Sequence, residues 1–386
     1  MKTFFAAPLA LAIAALCVAD AWAHDDDGPS LPAQASVSTL VSTPLAIEGL
    51  TGDRQGGLYT TGRSAGVGLP CPVWRVSLAS VTPVLVGQVP PPSASGQCSP
   101  SGIAFGPSGA LFISESDKVY TVLPNAAAPA LATVYASGVP GTNGLAFDKR
   151  GHLWTGDGTT GLGRVWQITP AGVVTEVLRI PPMANAAGVG RSNSTLQGTG
   201  GAAANPQPLV ANGIAFERDG DMLIADTARG ALWRVAFDRH GAPTLRAGCD
   251  STFTANTLCA AHLWVAHPLL EGVDGIALDR AGNVFAAANE RNAIVVVGRE
   301  GRVSELFRNP VAATGLRNAG PLEFPTSPFL LGDLLCSANS DGNRRDNSPA
   351  TAGEIGGPGQ PRGKLSCLDQ RLSVPGLPLP AGAHGH

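Results

Sequence analysis

The sequence predicts an all-β chain: a six-bladed β-propeller with four-stranded antiparallel blades. Three observations predict it. One phrase occurs five times with a single internal spacing: a polar residue, Gly, an apolar run, a tight turn and a second apolar run. The intervals between phrases are too long for one hairpin and suit a small sheet with loops. No stretch of useful length carries the 3.6-residue periodicity of a helix. Radial repetition of small sheets also protects strand edges that a flat sheet would leave open. A two-sheet sandwich would use the same strands but would not explain the repeated phrase.

The clearest copy runs from Asn212 to Asp226. Gly213-Ile214-Ala215-Phe216 is the first strand, Asp219-Gly220 the turn, and Met222-Leu223-Ile224-Ala225 the return. Gly tolerates the positive φ that such turns need. The other copies begin at Glu48, Ser101, Asn143 and Asp274, and their turn glycines are Gly56, Gly109, Gly151 and Gly282. In each copy the residue before the first Gly, here called the marker, stands eight positions ahead of the turn Gly.

Taken in order, residues 1–23 read as a secretory signal. Lys2 supplies the positive start, Phe4 to Val18 the apolar centre, and Ala21-Trp22-Ala23 a small-x-small cleavage site. A secreted or periplasmic location follows, with no membrane attachment after cleavage. Residues 24–40 read as a disordered, solvated leader, and the propeller is expected over 41–372. The segments Val73–Val76, Val119–Val122, Val165–Ile168, Leu232–Val235 and Ile294–Val297 supply further strands, being rich in β-branched and aromatic residues. A sixth, degenerate unit follows. Phe324–Phe329 stands near the marker position, with strands at Leu334–Ala338 and Lys364–Leu368. A strand around Ser38–Val41 is expected to complete the last blade and close the ring. Residues 179–209 and 339–363 break the pattern. The first is either a surface loop or a lid over one mouth of the ring, and the second reads as a polar loop. The tail, 373–386, reads as flexible.

Six cysteines remain beyond the signal, an even number that implies disulfides in an exported chain. Sequence neighbours are the expected pairs: Cys71–Cys98, Cys249–Cys259 and Cys336–Cys367. No Cys-x-x-Cys or Cys/His cluster suggests zinc, and no Gly-x-Ser-x-Gly elbow suggests a serine hydrolase. Charged residues make up 14% of the chain, and the formal net charge is −3. With no basic cluster beyond Arg344-Arg345, nucleic-acid binding is not expected.

Pseudo-symmetry gives the markers chemical meaning. If each marker starts the innermost strand of its blade, Glu48, Asn143, Asn212 and Asp274 converge at one mouth of the channel. Two carboxylates and two amide carbonyls form a hard oxygen-donor set whose charge matches one divalent cation, Ca²⁺ above all. Ser101 is a weak ligand and is expected to line the substrate pocket. Against this, Asn and Asp before Gly are ordinary turn residues whose side chains bond nearby amides. Fourteen positions beyond the markers stand Gly62, Glu115, Asp157, Asp226 and Ala288. The three acids among them read as structural, each bonding turn amides. His262 and His267 precede the fifth copy and read as outer-strand or loop histidines.

The phrases Asn212-Gly213-Ile214-Ala215-Phe216, Asp274-Gly275-Ile276-Ala277-Leu278 and Glu48-Gly49 resemble those of the senescence-marker-protein/gluconolactonase family, six-bladed propellers that hydrolyse lactones and related esters. The resemblance spans roughly 42–370. It implies that Glu48, Asn212 and Asp274 bind a catalytic divalent metal. It further implies that Asn143 lies beside the metal as a ligand or substrate residue, and that Asp274 is the general base. A small-molecule lactone or ester is then the expected substrate. The first copy reads Glu48-Gly49-Leu50 rather than the family's usual Glu-Gly-Pro. NHL-repeat propellers carry the same blade phrase without catalysis, so a protein- or glycan-binding scaffold is the competing reading.

Overall fold

The computed structural model describes residues 31–182, 209–245, 254–309, 320–340 and 362–384. The chain divides into two units, Met1–Ser30 and Leu31–His386, and the described residues belong to the second. The expected signal, Cys249, and most of the two pattern-breaking loops lie outside the described residues. No helix among the described residues is long and apolar enough to cross a membrane.

Six antiparallel sheets follow one another along the chain. Blade 1 is built from Ile47–Gly52, Gly57–Gly62, Cys71–Ser77 and Pro83–Val89. Blade 2 is built from Ile103–Phe105, Leu111–Glu115, Lys118–Val122 and Thr133–Ser137. Blade 3 uses Thr142–Phe147, Leu153–Asp157, Arg164–Ile168 and Val174–Arg179. Blade 4 uses Ala211–Phe216, Met222–Asp226, Ala231–Val235 and Leu263–Ala266. Blade 5 uses Val273–Leu278, Val284–Ala288, Ala293–Val297 and Val303–Arg308. Blade 6 joins Pro325–Leu331, Leu334–Asn339 and Lys364–Leu368 to the early strand Val37–Ser42. That early strand makes the last blade from both ends of the chain, so the ring closes by hydrogen bonding as well as by packing.

Strand alternation drives the closure. Successive side chains of a strand point to opposite faces, so each blade has two apolar faces to bury. In blade 2, Ile113 packs with Tyr59 and Val73 of blade 1, while its neighbour Phe112 packs with Leu153 and Trp166 of blade 3. The same division gives one apolar cluster for each pair of adjacent blades. Trp154 meets Trp233 between blades 3 and 4, Leu223 meets Val295 between 4 and 5, and Phe285 meets Leu335 between 5 and 6. Trp74 meets Leu365 between blades 6 and 1, which completes the circle.

Three features differ from the expectations of four-stranded blades, a disordered leader over 24–40 and a flexible tail. From Leu31 on the leader is packed: Ala35 N donates to Leu306 O, and Leu31, Ala35 and Val37 lie against the cluster between blades 5 and 6, because their apolar side chains find a surface to cover. Ala130–Leu131, in the link between the last two strands of blade 2, adds a short parallel strand to the edge of blade 1. The tail runs as a strap across the turn-side ends of several blades. Gly376 donates to Gly332 O, Leu377 to Leu278 O, and Arg54 to Leu379 O and Ala383 O. Leu377 and Leu379 pack on the inter-blade clusters and Ala383 is buried. The apolar residues of this Pro-rich segment are what hold it down; its composition alone reads as solvated. The disulfides Cys71–Cys98 and Cys336–Cys367 form as expected.

Candidate functional site

The marker glycines let the first strands of neighbouring blades touch backbone to backbone. A Cβ on Gly49 would run into Ser101 O, and one on Gly102 into Asn143 O. One on Gly144 would lie 2.9 Å from Asn212 O, one on Gly213 2.6 Å from Asp274 O, and one on Gly275 2.5 Å from Thr326 O. Thr326 Oγ1 then donates to Glu48 O across 2.7 Å. Each marker therefore abuts the next, and the sixth marker is Thr326. Hydroxyls reinforce the circle: Ser101 Oγ donates to Thr142 O at 3.1 Å, and Thr227 Oγ1 to Val273 O at 2.7 Å.

A β-bulge occurs at the marker in five blades. Pairing is regular up to the residue before the marker, then shifts: between Ile47 and Leu50, Thr142 and Leu145, Ala211 and Ile214, Val273 and Ile276, and Pro325 and Ser327. Bulges re-aim a side chain and are common beside active sites. Here the irregularity falls on the marker and, in blades 1, 3, 4 and 5, the residue after it, at the end of the strand opposite the tight turn.

The register also explains what holds each marker. The residue before the marker pairs with position 14 beyond it, as Ile47 does with Gly62 and Val273 with Ala288. Position 15 therefore emerges just past the second strand, beside the marker. Arg63 Nη1 donates to Glu48 Oε2. Asn212 Nδ2 donates to Thr227 Oγ1 at 3.2 Å. Asn289 Nδ2 donates to Asp274 Oδ2 at 3.1 Å. In blade 3 position 15 is Gly158, whose missing side chain leaves room for the Asn143 amide. Thr227 receives the Asn212 NH₂ group, so the Asn212 carbonyl oxygen is the atom left for a ligand. Glu48, Ser101, Asn212 and Asp274 are buried and Asn143 is half-buried. The donor set they present is hard oxygen, with no His or Cys among the markers, which suits Ca²⁺ rather than a softer metal.

Arg63 and Asn289 were not singled out from sequence, although a signal was present: one column past the acids at position 14, the residues are Arg63, Ser116, Gly158, Thr227 and Asn289. The position-14 acids are structural, as read. Glu115 accepts from Ser99 N at 2.7 Å, Asp157 from Thr160 N at 2.9 Å, and Asp226 from Arg229 N at 3.2 Å. Burial pushes the Glu115 and Asp226 carboxyls above the usual range, against the pull of their partners. The histidines are also structural. His262 is buried with Nδ1 3.5 Å from Cys259 Sγ, and His267 caps Pro268–Leu270 by accepting from Leu269 N.

Among the described residues, one acidic group lies elsewhere. Glu217, Asp219 and Asp221 can bring ligand atoms within 4.8 Å of one another, but they form the tight turn of blade 4, at the far end of the first strand from Asn212. Glu217 is paired with Arg234, and its position is a structural one: Asp53, Asp148 and Asp279 stand at the same place and accept from turn amides.

Residues 203–315, which hold blades 4 and 5, match the family model "SMP-30/Gluconolactonase/LRE-like region". No curated protein matches the chain by sequence. Among solved structures, a luciferin-regenerating enzyme is similar with a TM-score of 0.58 at 14% identity, over 90% of this chain and 98% of that one. A regucalcin from Agrobacterium tumefaciens, described as a calcium-binding protein, gives 0.55 at 19% identity over 91% and 98%. A gluconolactonase from Xanthomonas campestris gives 0.53 at 14% over 89% and 90%. At these identities the likeness concerns the fold, and the resemblance read from the marker phrases is matched by the family model over blades 4 and 5.

Proposed function

We propose that this chain is an exported, metal-dependent hydrolase of lactones or related esters that works at the marker mouth. The observation that carries the reading is the ring of bulged markers, in which Asn212 and Asp274 are each held by the residue fifteen positions on. A fold needs no such repeated bracing of polar side chains at one mouth, whereas a ligand set does. The family match over residues 203–315 supports a lactonase-type activity, and the likeness to a regucalcin and a gluconolactonase supports a cation and a small-molecule substrate.

Glu48, Asn143, Asn212 and Asp274 would hold the cation, Ca²⁺ or another hard divalent ion. When bound, it supplies Lewis-acid polarisation of the ester carbonyl. Asp274 acts as general base. Its carboxylate takes a proton from the attacking water and returns it to the departing alkoxide oxygen as the acyl C–O bond breaks. Asn289 fixes the rotamer of that carboxylate through Oδ2. Asn143 and Ser101 orient the substrate from the adjacent blades. Export rests on residues 1–23 and on the disulfides.

The test is hydrolysis of a lactone and ester panel by the purified chain, before and after chelation and with Ca²⁺ restored. Activity lost to chelator and recovered with Ca²⁺ is the expected result. A folded protein with no activity under any of these conditions returns the chain to the non-catalytic scaffold class.

A further inference from the structure

Position 15 carries an arginine in blade 1, where the other blades have Ser116, Gly158, Thr227 and Asn289. Arg63 grips Glu48 with Nη1 and Ser99 Oγ with Nε at 3.1 Å and Nη2 at 2.8 Å. The ion pair is mostly removed from solvent, with 28% of the Arg63 side chain and 11% of the Glu48 side chain exposed. A second carboxylate stands behind it. Glu115 accepts from Ser99 N at 2.7 Å; burial raises its pKa, and its hydrogen bonds and the Arg63 charge pull it part of the way back.

A cation bound by Glu48 must share that carboxylate with a guanidinium or displace it, and two cations on one carboxylate repel each other. Ser99 and Glu115 provide a place for the displaced guanidinium to remain at the mouth. We propose that Arg63 is a built-in competitor for the cation. It neutralises Glu48 when no cation is bound, and it keeps its hold on Ser99 when the cation takes that carboxylate. This proposal rests on the reading of Glu48 as a cation ligand.

The experiment is calorimetric titration of the full chain with Ca²⁺, together with the Ca²⁺-induced rise in melting temperature, for wild type, R63M and R63K. Removing the competing charge should tighten Ca²⁺ binding by about five- to tenfold in R63M and enlarge its Ca²⁺-induced thermal shift. R63K keeps the charge and should stay within about twofold of wild type. If R63M does not fold, R63Q, which keeps polar reach to Ser99, carries the same expectation. R63M binding no more tightly than wild type overturns the proposal and leaves the hydrolase reading standing. A gain in R63K equal to that in R63M overturns it as well. Absence of Ca²⁺ binding in the wild type and in every variant overturns both the proposal and the reading beneath it.

Discussion

Asn289 donates from Nδ2 to Asp274 Oδ2 across 3.1 Å, from a position fifteen residues along the same blade. Asn289 is itself buried, and its Oδ1 has no hydrogen-bond partner among the described residues. A side chain held this way serves its partner, because a lone structural amide would satisfy both ends. N289A should lower kcat by about 10- to 100-fold, the range typical of lost outer support at a metal site. D274N should lower it by about a thousandfold or more. Steady-state kinetics beside thermal melts will separate the effects. If N289A loses stability but keeps kcat, the pair is purely structural.

Gly213 sits where an added Cβ would lie 2.6 Å from Asp274 O and 2.9 Å from Ile276 N. The obstacle is backbone, which cannot swing aside as a side chain can. G213A should therefore cost about 3 kcal/mol of stability and weaken Ca²⁺ binding through the shifted Asp274 strand. Denaturant unfolding and calcium titration check both parts. A neutral G213A would mean that blades 4 and 5 do not meet at their markers.

His267 caps a short 3-10 turn, its Nδ1 accepting from Leu269 N at 3.1 Å, which requires the unprotonated ring. Burial, with a further push from Arg291, lowers its pKa below the ordinary value of 6.5. The folded state then holds fewer protons than the unfolded state in that window, so stability rises with pH there. Acidifying from the ordinary histidine range down to the depressed folded value should progressively weaken the fold. H267N, which caps without titrating, should flatten that part of the melting temperature–pH curve. An unchanged slope in H267N would assign the pH dependence to another group.

The C-terminal strap ties turns of blades 5, 6, 1 and 2 through Leu377, Gly376, Leu379 and Ala383. Removing residues 375–386 exposes the apolar surface that these residues cover on three inter-blade clusters. Burial of one or two leucines is worth a few kcal/mol, so the melting temperature should fall by roughly 5–10 °C. Calcium affinity should stay unchanged, since the strap crosses the end of the blades opposite the markers. A truncated chain that melts with the full one would show that the strap contributes little.

Much of this architecture was legible in the residues. The marker phrase located the first two strands of five blades, because Gly and turn chemistry act over a few residues and leave the same mark each time. Disulfides between sequence neighbours were legible for the same local reason. The tail was not, because its anchors Leu377 and Leu379 are isolated apolar residues in a Pro- and Gly-rich segment, and only the surface they meet gives them a role.

The sequence by itself determined the blade count, the strand order and the set of oxygen-bearing markers, since each of these is written in short-range pattern. Only the tertiary structure decided which groups touch. Thr326 reaches Glu48 across 278 residues of chain, and Arg63 becomes the partner of Glu48 only through the register of one hairpin. Contacts of this kind depend on where a closed ring puts its ends, and no local preference of the chain encodes that distance.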